Sequence, residues 1–223
     1  MNTENFIMLN VNSSNVNEVI NQYWTNKDFL EDAKKTLEAY ENSAKEFFEK
    51  NSVSEIVTAN GILSFTEENY DYFDRSSLKE DDENLYNEYL TTTVGKVFTR
   101  KFRAKRVLPQ VPEMTEASAS EFYKFIKDGR ANVKELDAKV NELVSAITKY
   151  MTENNVDEIQ APVGTVNYKD RNNTTFMMES FVNDHKDLVE QYTVRKARKV
   201  LRTLVPHSTT TTAAECLDEL ALM

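Results

Sequence analysis

Asn51-Ser52-Val53-Ser54-Glu55-Ile56 and Asn154-Asn155-Val156-Asp157-Glu158-Ile159 lie 103 residues apart and share Asn, Val, Glu and Ile at matching places. The same offset, carried forward without a gap, sets Gly61 on Gly164, Asn69 on Asn172, Phe73 on Phe176, Ser77 on Ser180 and Asp81 on Asp184. It then sets Leu85 on Leu188, Tyr89 on Tyr192 and Lys96-Val97 on Lys199-Val200. Thirteen of the 47 pairs from Asn51 to Val97 are identical, against about three expected from ordinary composition. Apolar character persists where identity fails, as in Leu63 with Val166, Phe65 with Tyr168 and Phe98 with Leu201. The chain reads as a tandem repeat: a first module over 1–106, a second over 107–207, and a tail over 208–223 that is low in complexity and carries a candidate short helix.

Upstream of the repeated hexapeptide the offset also aligns hydrophobic spacing. Leu30, Ala33, Leu37, Tyr40, Ala44 and Phe47 step by three and four residues, as do Val133, Leu136, Val140, Leu143, Ile147 and Tyr150. Each series predicts a long helix with one apolar seam. Val16, Val19, Ile20, Tyr23 and Trp24, matched by Ala119, Phe122, Tyr123 and Ile126, predict a shorter helix before it. Thr25-Asn26 and Asp128-Gly129 supply the expected stops between the two.

Downstream, Ser54–Thr58 and Ile62–Thr66 flank Ala59-Asn60-Gly61, and Asp157–Ala161 and Thr165–Lys169 flank Pro162-Val163-Gly164. Both read as β-hairpins whose glycine relieves a positive φ. A polar stretch precedes a third helix carrying Leu85, Tyr86, Tyr89, Leu90, Val94, Val97 and Phe98, matched by Leu188, Val189, Tyr192, Ala197, Val200 and Leu201. The expected fold is α+β and mostly helical: two helix–long helix–hairpin–helix modules packed as a pseudo-dimer. Since a lone hairpin is marginal, each must pack on its own helices or on the other hairpin.

The 223 residues carry a net charge of −10, and only 4 Gly and 4 Pro, which disfavours a loop-rich or all-β chain. No apolar run approaches the length of a membrane span, and the first residues lack the basic and apolar regions of a signal peptide. The single Cys216 makes no internal disulfide, so a reduced, cytoplasmic setting is the expectation. The charge is unevenly spread. Lys96–Arg106 holds Lys96, Arg100, Lys101, Arg103, Lys105 and Arg106 with no acid; Arg195–Arg202 holds Arg195, Lys196, Arg198, Lys199 and Arg202 with no acid. Elsewhere 16 basic residues face 37 acidic ones.

On the expected third helix, Lys96, Arg100 and Arg103, and again Arg195, Lys199 and Arg202, fall at i, i+4, i+7 and so on one face. Two such faces suit contact with a polyanion, DNA above all. Against this stand a solvated helix whose cations complement its dipole, and docking on an acidic protein. Tyr70, Tyr72 and Phe73 read first as core packing and second as bases' stacking partners. Glu55 and Glu158 read as strand-edge residues rather than a catalytic pair. His185 and His207 have no ligand partners at metal spacing, and Cys216 has no nearby histidine. No phosphate-cradling glycine motif is present. The expectation is a non-enzymatic protein without catalytic residues, metal or cofactor, in no membrane, with DNA, other proteins or a second copy as partners.

The pattern N-x-V-x-E-I…G-x-V-x-Y-K, carried by Asn154–Ile159 and Gly164–Asp170 and more weakly by Asn51–Phe65, resembles the Gam-type host-nuclease inhibitors of Mu-like bacteriophages and related small siphophage proteins. The resemblance covers about half of each module. It implies a phage protein of the infected host cell that coats or caps double-stranded DNA ends and blocks exonucleases or aids recombination. Members usually carry one module per chain and often dimerise, so a fused pair is the expectation here. Two alternatives are a structural or connector protein of the virion and an acidic inhibitor of a host defence protein. The resemblance assigns no individual site residue.

Overall fold

The computed structural model describes residues 11–100 and 110–205. Its elements run α1 (Val16–Asn51), β1 (Glu55–Thr58), β2 (Gly61–Phe73), α2 (Arg75–Asp81), α3 (Glu83–Glu88), β3 (Leu90–Arg100), α4 (Ala119–Glu153), β4 (Glu158–Ala161), β5 (Gly164–Phe176), α5 (Met178–Asp184), α6 (Lys186–Tyr192) and β6 (Thr193–Leu204). The class is α+β, with six helices among the described residues. The expected tail over 208–223 and Cys216 lie outside the described residues.

The expected break between a short and a long helix does not occur: α1 and α4 are continuous over 36 and 35 residues. Asn26 stays in register by donating its side-chain amide to the Gln22 carbonyl at 2.8 Å. Gly129 serves the helix pair rather than a stop, because a Cβ there would lie 3.2 Å from Leu37 Cδ1. The glycine lets α1 and α4 approach closely. Just past their last turns α1 and α4 meet a left-handed residue, Ser52 at φ 54° and Asn155 at φ 52°, and asparagine is a type that tolerates this region.

The third helix is also replaced. Residues 75–88 form two short helices followed by strand β3, which reaches Lys96 and Arg100; residues 178–204 repeat this with β6. The β-branched run Thr91-Thr92-Thr93-Val94 and the pair Thr193-Val194 favour extended backbone over helix, and a strand partner is available for each. The second hairpin strands run 13 residues through the polar stretch, pairing well beyond their four-residue partners β1 and β4.

Neither hairpin is completed by the half of the chain that carries it or by the other hairpin. The sheets are ordered β1-β2-β6 and β3-β5-β4, so each takes its third strand from the other half of the chain. β2 pairs antiparallel with β6 from Ile62↔Leu204 to Phe73↔Thr193. β3 pairs with β5 from Leu90↔Phe176 to Arg100↔Gly164, with a register shift between Gly95 and Val97. A cut at residue 106 separates stretches that each lack a strand.

Three cores result. In one, Val19, Ile20, Tyr23 and Trp24 of α1 pack with Leu143, Ile147 and Met151 of α4 and Ile159 and Val166 of β4 and β5. In the second, Ala44 and Phe48 of α1 pack with Phe122, Tyr123 and Ile126 of α4, Leu63 and Phe65 of β2 and Leu201 of β6. The long helices thus lie antiparallel, with a sheet at either end of the pair. Lys34 Nζ and Asp137 Oδ1 meet at 3.1 Å midway between the two cores. Gly61, at φ 152°, leaves no room for a side chain, since a Cβ would fall 2.3 Å from Tyr123 Cζ. Arg130 fastens sheet to helices by donating to Glu41 Oε1 at 2.8 Å through Nε and to the Leu201 carbonyl at 2.9 Å.

The third core gathers Leu78, Phe176, Phe181 and Tyr192, all buried, with Phe73, Tyr86, Tyr89 and Leu188 around them. Its polar contacts come in reciprocal pairs. The Asp74 N–H donates to the Tyr192 carbonyl and the Met177 N–H to the Tyr89 carbonyl, both at 2.8 Å. The Tyr89 hydroxyl donates to Asp184 at 2.8 Å and the Tyr192 hydroxyl to Asp81 at 3.0 Å. Bonding to Asp184 holds the Tyr89 phenol above its ordinary pKa; burial, then bonding to Asp81, does so for Tyr192.

Candidate nucleic-acid interface

Between the helix pair and the third core run two ribbons of two strands each. β1 covers β2 only from Gly61 to Ser64, and β4 covers β5 only from Gly164 to Asn167. Among the described residues, β2 beyond those points has only β6 beside it and β5 only β3. The middle of the β2–β6 ribbon is open on both faces: Glu67, Asn69 and Asp71 are exposed, as are Arg195 to Lys199.

Strand geometry redistributes the basic residues. Successive side chains on a strand point to opposite faces, and residues directly opposite one another share a face. The expected grouping of Arg195, Lys199 and Arg202 on one helix face therefore does not form. Arg195 and Lys199 share a face with Leu63, Phe65 and Leu201, the residues that enter the second core; Lys196, Arg198 and Arg202 point to the other. On the first face Lys199 sits 3.5 Å from Glu49, and the register sets Arg195 opposite Asp71 and Lys199 opposite Glu67. Cations there are matched by carboxylates across the ribbon.

On the second face the partners are aromatic. Lys196 Nζ lies 3.6 Å from the centre of the Tyr72 ring, and the Arg198 guanidinium lies 5.0 Å from that of Tyr70. Arg202 pairs with Glu68, which stands opposite Arg198. Lys196 also helps hold the Asp74 carboxyl below its usual range, where the Ser77 N–H is the main cause. Tyr72 is 38% exposed and Val194, opposite it, is 40% exposed. The set read as core is thus split: Phe73 enters the third core, while Tyr70 and Tyr72 face outward. Strand alternation across residues 70–73 is the signal that separates them.

Of the first basic segment, Lys96 and Arg100 lie on β3, with side chains outside the described ones; Lys101, Arg103, Lys105 and Arg106 lie outside the described residues. β3 and β6 are both edge strands, and lysine and arginine on an edge also resist unwanted strand pairing.

Among the described residues no other chemistry assembles. Glu55 and Glu158 begin strands of different sheets and are exposed, so they form no carboxylate pair. His185 packs against the rings of Phe181 and Tyr89 at 5.2 and 5.5 Å; His207 lies outside the described residues. No group of three metal-ligating side chains occurs among the described residues. No described helix is long and apolar enough to cross a membrane. Comparison with known proteins gives no significant match to a family model, a curated protein or a solved structure.

Proposed function

We propose that the chain is a fused duplication packed as a pseudo-dimer and that it binds DNA without catalysing a reaction, gripping phosphates through its two ribbons. What supports the duplication is that the 103-residue offset carries one core onto the other. It takes Ala44, Phe48 and Leu63 to Ile147, Met151 and Val166, all buried. The same offset relates the two members of each reciprocal hydrogen bond in the third core. Exchange of β3 and β6 between halves is the arrangement expected when a strand-swapped dimer is joined into one chain.

The observation that carries the binding reading is the outward face of the β2–β6 ribbon, where Lys196, Arg198 and Arg202 lie among Tyr70, Tyr72 and the carboxylate of Glu68, with Asp74 near Lys196 at one end. On an otherwise acidic chain, a strip where three cations outnumber the carboxylates attracts phosphate while the rest of the surface repels it. A phage accessory protein that shields DNA from nucleases or aids recombination, as the Gam-type resemblance implies, would use it so. The test is electrophoretic or polarisation binding of K196A/R198A against the unaltered chain over a salt series. Each lost phosphate contact removes about 0.7–0.9 from the slope of log affinity against log salt, so the pair should lower it by about 1.4–1.8. An unchanged slope and affinity would overturn the assignment.

A further inference from the structure

We infer that the outward face of the β2–β6 ribbon is a stacking platform for single-stranded nucleic acid, with Tyr70 and Tyr72 taking bases and Lys196 and Arg198 taking phosphates. This rests on the reading of the chain as a nucleic-acid binder and names the form it takes.

Three observations carry it. First, the two rings stand at i and i+2 on one strand and so on one face, about 6.8 Å apart along the strand from a rise of about 3.4 Å per residue. Bases inside a duplex lie about 3.4 Å apart and offer no free ring face to a side chain. A single strand can splay its bases to that wider spacing and present them to aromatic rings. Second, the cations now on those rings are displaceable. An exposed cation–π contact is weaker than the stacking of a base on an aromatic ring. Exchanging one for the other is favourable and leaves Lys196 and Arg198 at the rim, where a backbone running over the rings places its phosphates. Third, the platform exists once. The offset carries Tyr70 and Tyr72 to Asn173 and Thr175, and Lys196 and Arg198 back to Thr93 and Gly95. The halves are otherwise alike in core and strand pairing, but at these four positions one ribbon carries rings and cations and the other carries small uncharged residues. Packing alone gives no reason for that difference, because these positions enter neither the helix-pair cores nor the third core.

The experiment measures polarisation of labelled oligothymidylate and of a labelled hairpin duplex with the unaltered chain, Y70A/Y72A, Y72A alone and Y70F/Y72F, each checked by circular dichroism. The expected result is one oligothymidylate site per chain. Affinity should fall about tenfold for each ring removed, stay within about threefold in the phenylalanine pair, and leave duplex affinity unmoved. Y72A serves if the double variant does not fold, since Tyr72 is the more exposed ring. Oligothymidylate binding that survives Y72A undiminished, or that falls equally for the duplex, would overturn the platform while leaving the binding reading intact. An unaltered chain that binds neither probe at low salt would overturn both.

Discussion

Phe181→Ala should loosen the end of the molecule where the two ribbons meet and leave the helix pair standing. Phe181 is fully buried in the third core. Its ring lies 5.3 Å from Phe73, 5.1 Å from Tyr89, 5.3 Å from Phe176 and 5.2 Å from His185. Truncating a buried Phe costs about 3–5 kcal/mol through lost burial and the cavity left behind. The upper part of that range applies here, because aromatic pairs add about 0.5–1.5 kcal/mol beyond area and residues from both halves line the gap. Leu78→Ala, at the position the offset makes equivalent, removes less volume and no ring pairs, so it should cost less. Urea unfolding followed by the fluorescence of Trp24, in a helix-pair core, reports one end. Amide exchange at Phe73, Leu90, Phe176 and Thr193 reports the other. Faster exchange at these four sites by two or more orders of magnitude, with Trp24 still protected until higher urea, is the expected outcome. A stability loss under about 1 kcal/mol, or simultaneous loss of both ends, would refute the account of the third core as a separate junction.

Gly61→Ala should destabilise by about 3 kcal/mol or more, combining a strained φ with overpacking against Tyr123. Gly129→Ala, whose Cβ meets only the flexible end of Leu37, should change stability by less than about 1 kcal/mol, helix propensity offsetting the crowding; thermal melts of the two variants check both. Tyr89 and Tyr192 have raised folded-state pKa values, so their contribution is fully present below the ordinary tyrosine range near 10 and is lost as pH rises through the folded values. Melting temperature against pH should therefore fall more steeply on the alkaline side in the unaltered chain than in Y89F/Y192F. Asp74→Ala, which removes a carboxylate accepting from the Ser76 and Ser77 N–H groups, should lower the melting temperature measured at neutral pH. Because Asp74 has a lowered pKa, the stability it adds is present above the unfolded carboxylate range and fades as pH falls through the folded value.

Much of this architecture was legible in the chain. The 3–4 spacing of Leu30 to Phe47 and of Val133 to Tyr150 marks the seams of α1 and α4, and Gly61 and Gly164 mark the starts of the long hairpin strands. Three things were not legible, each for a physical reason. Asn26 and Gly129 look like stops in isolation, but an asparagine can bond back along its own helix and a glycine can admit a neighbouring one. Val94, Val97 and Phe98 fit a helical stripe almost as well as a strand, and the helical positions before them mask the β-branched Thr91–Val94 run. The exchange of β3 and β6 is a long-range choice of partner that local periodicity does not encode. For the candidate site, the basic segment Arg195–Arg202 was visible from composition, but which cations face carboxylates and which face tyrosines depends on register with β2.

The central claim is that the ribbon cations grip nucleic acid, and titration of linear, nicked-circular and single-stranded DNA at two salt concentrations tests it most directly. The account predicts binding that weakens steeply with salt, is strongest for the single strand and drops in K196A/R198A. No binding at low salt to any of the three forms would contradict it.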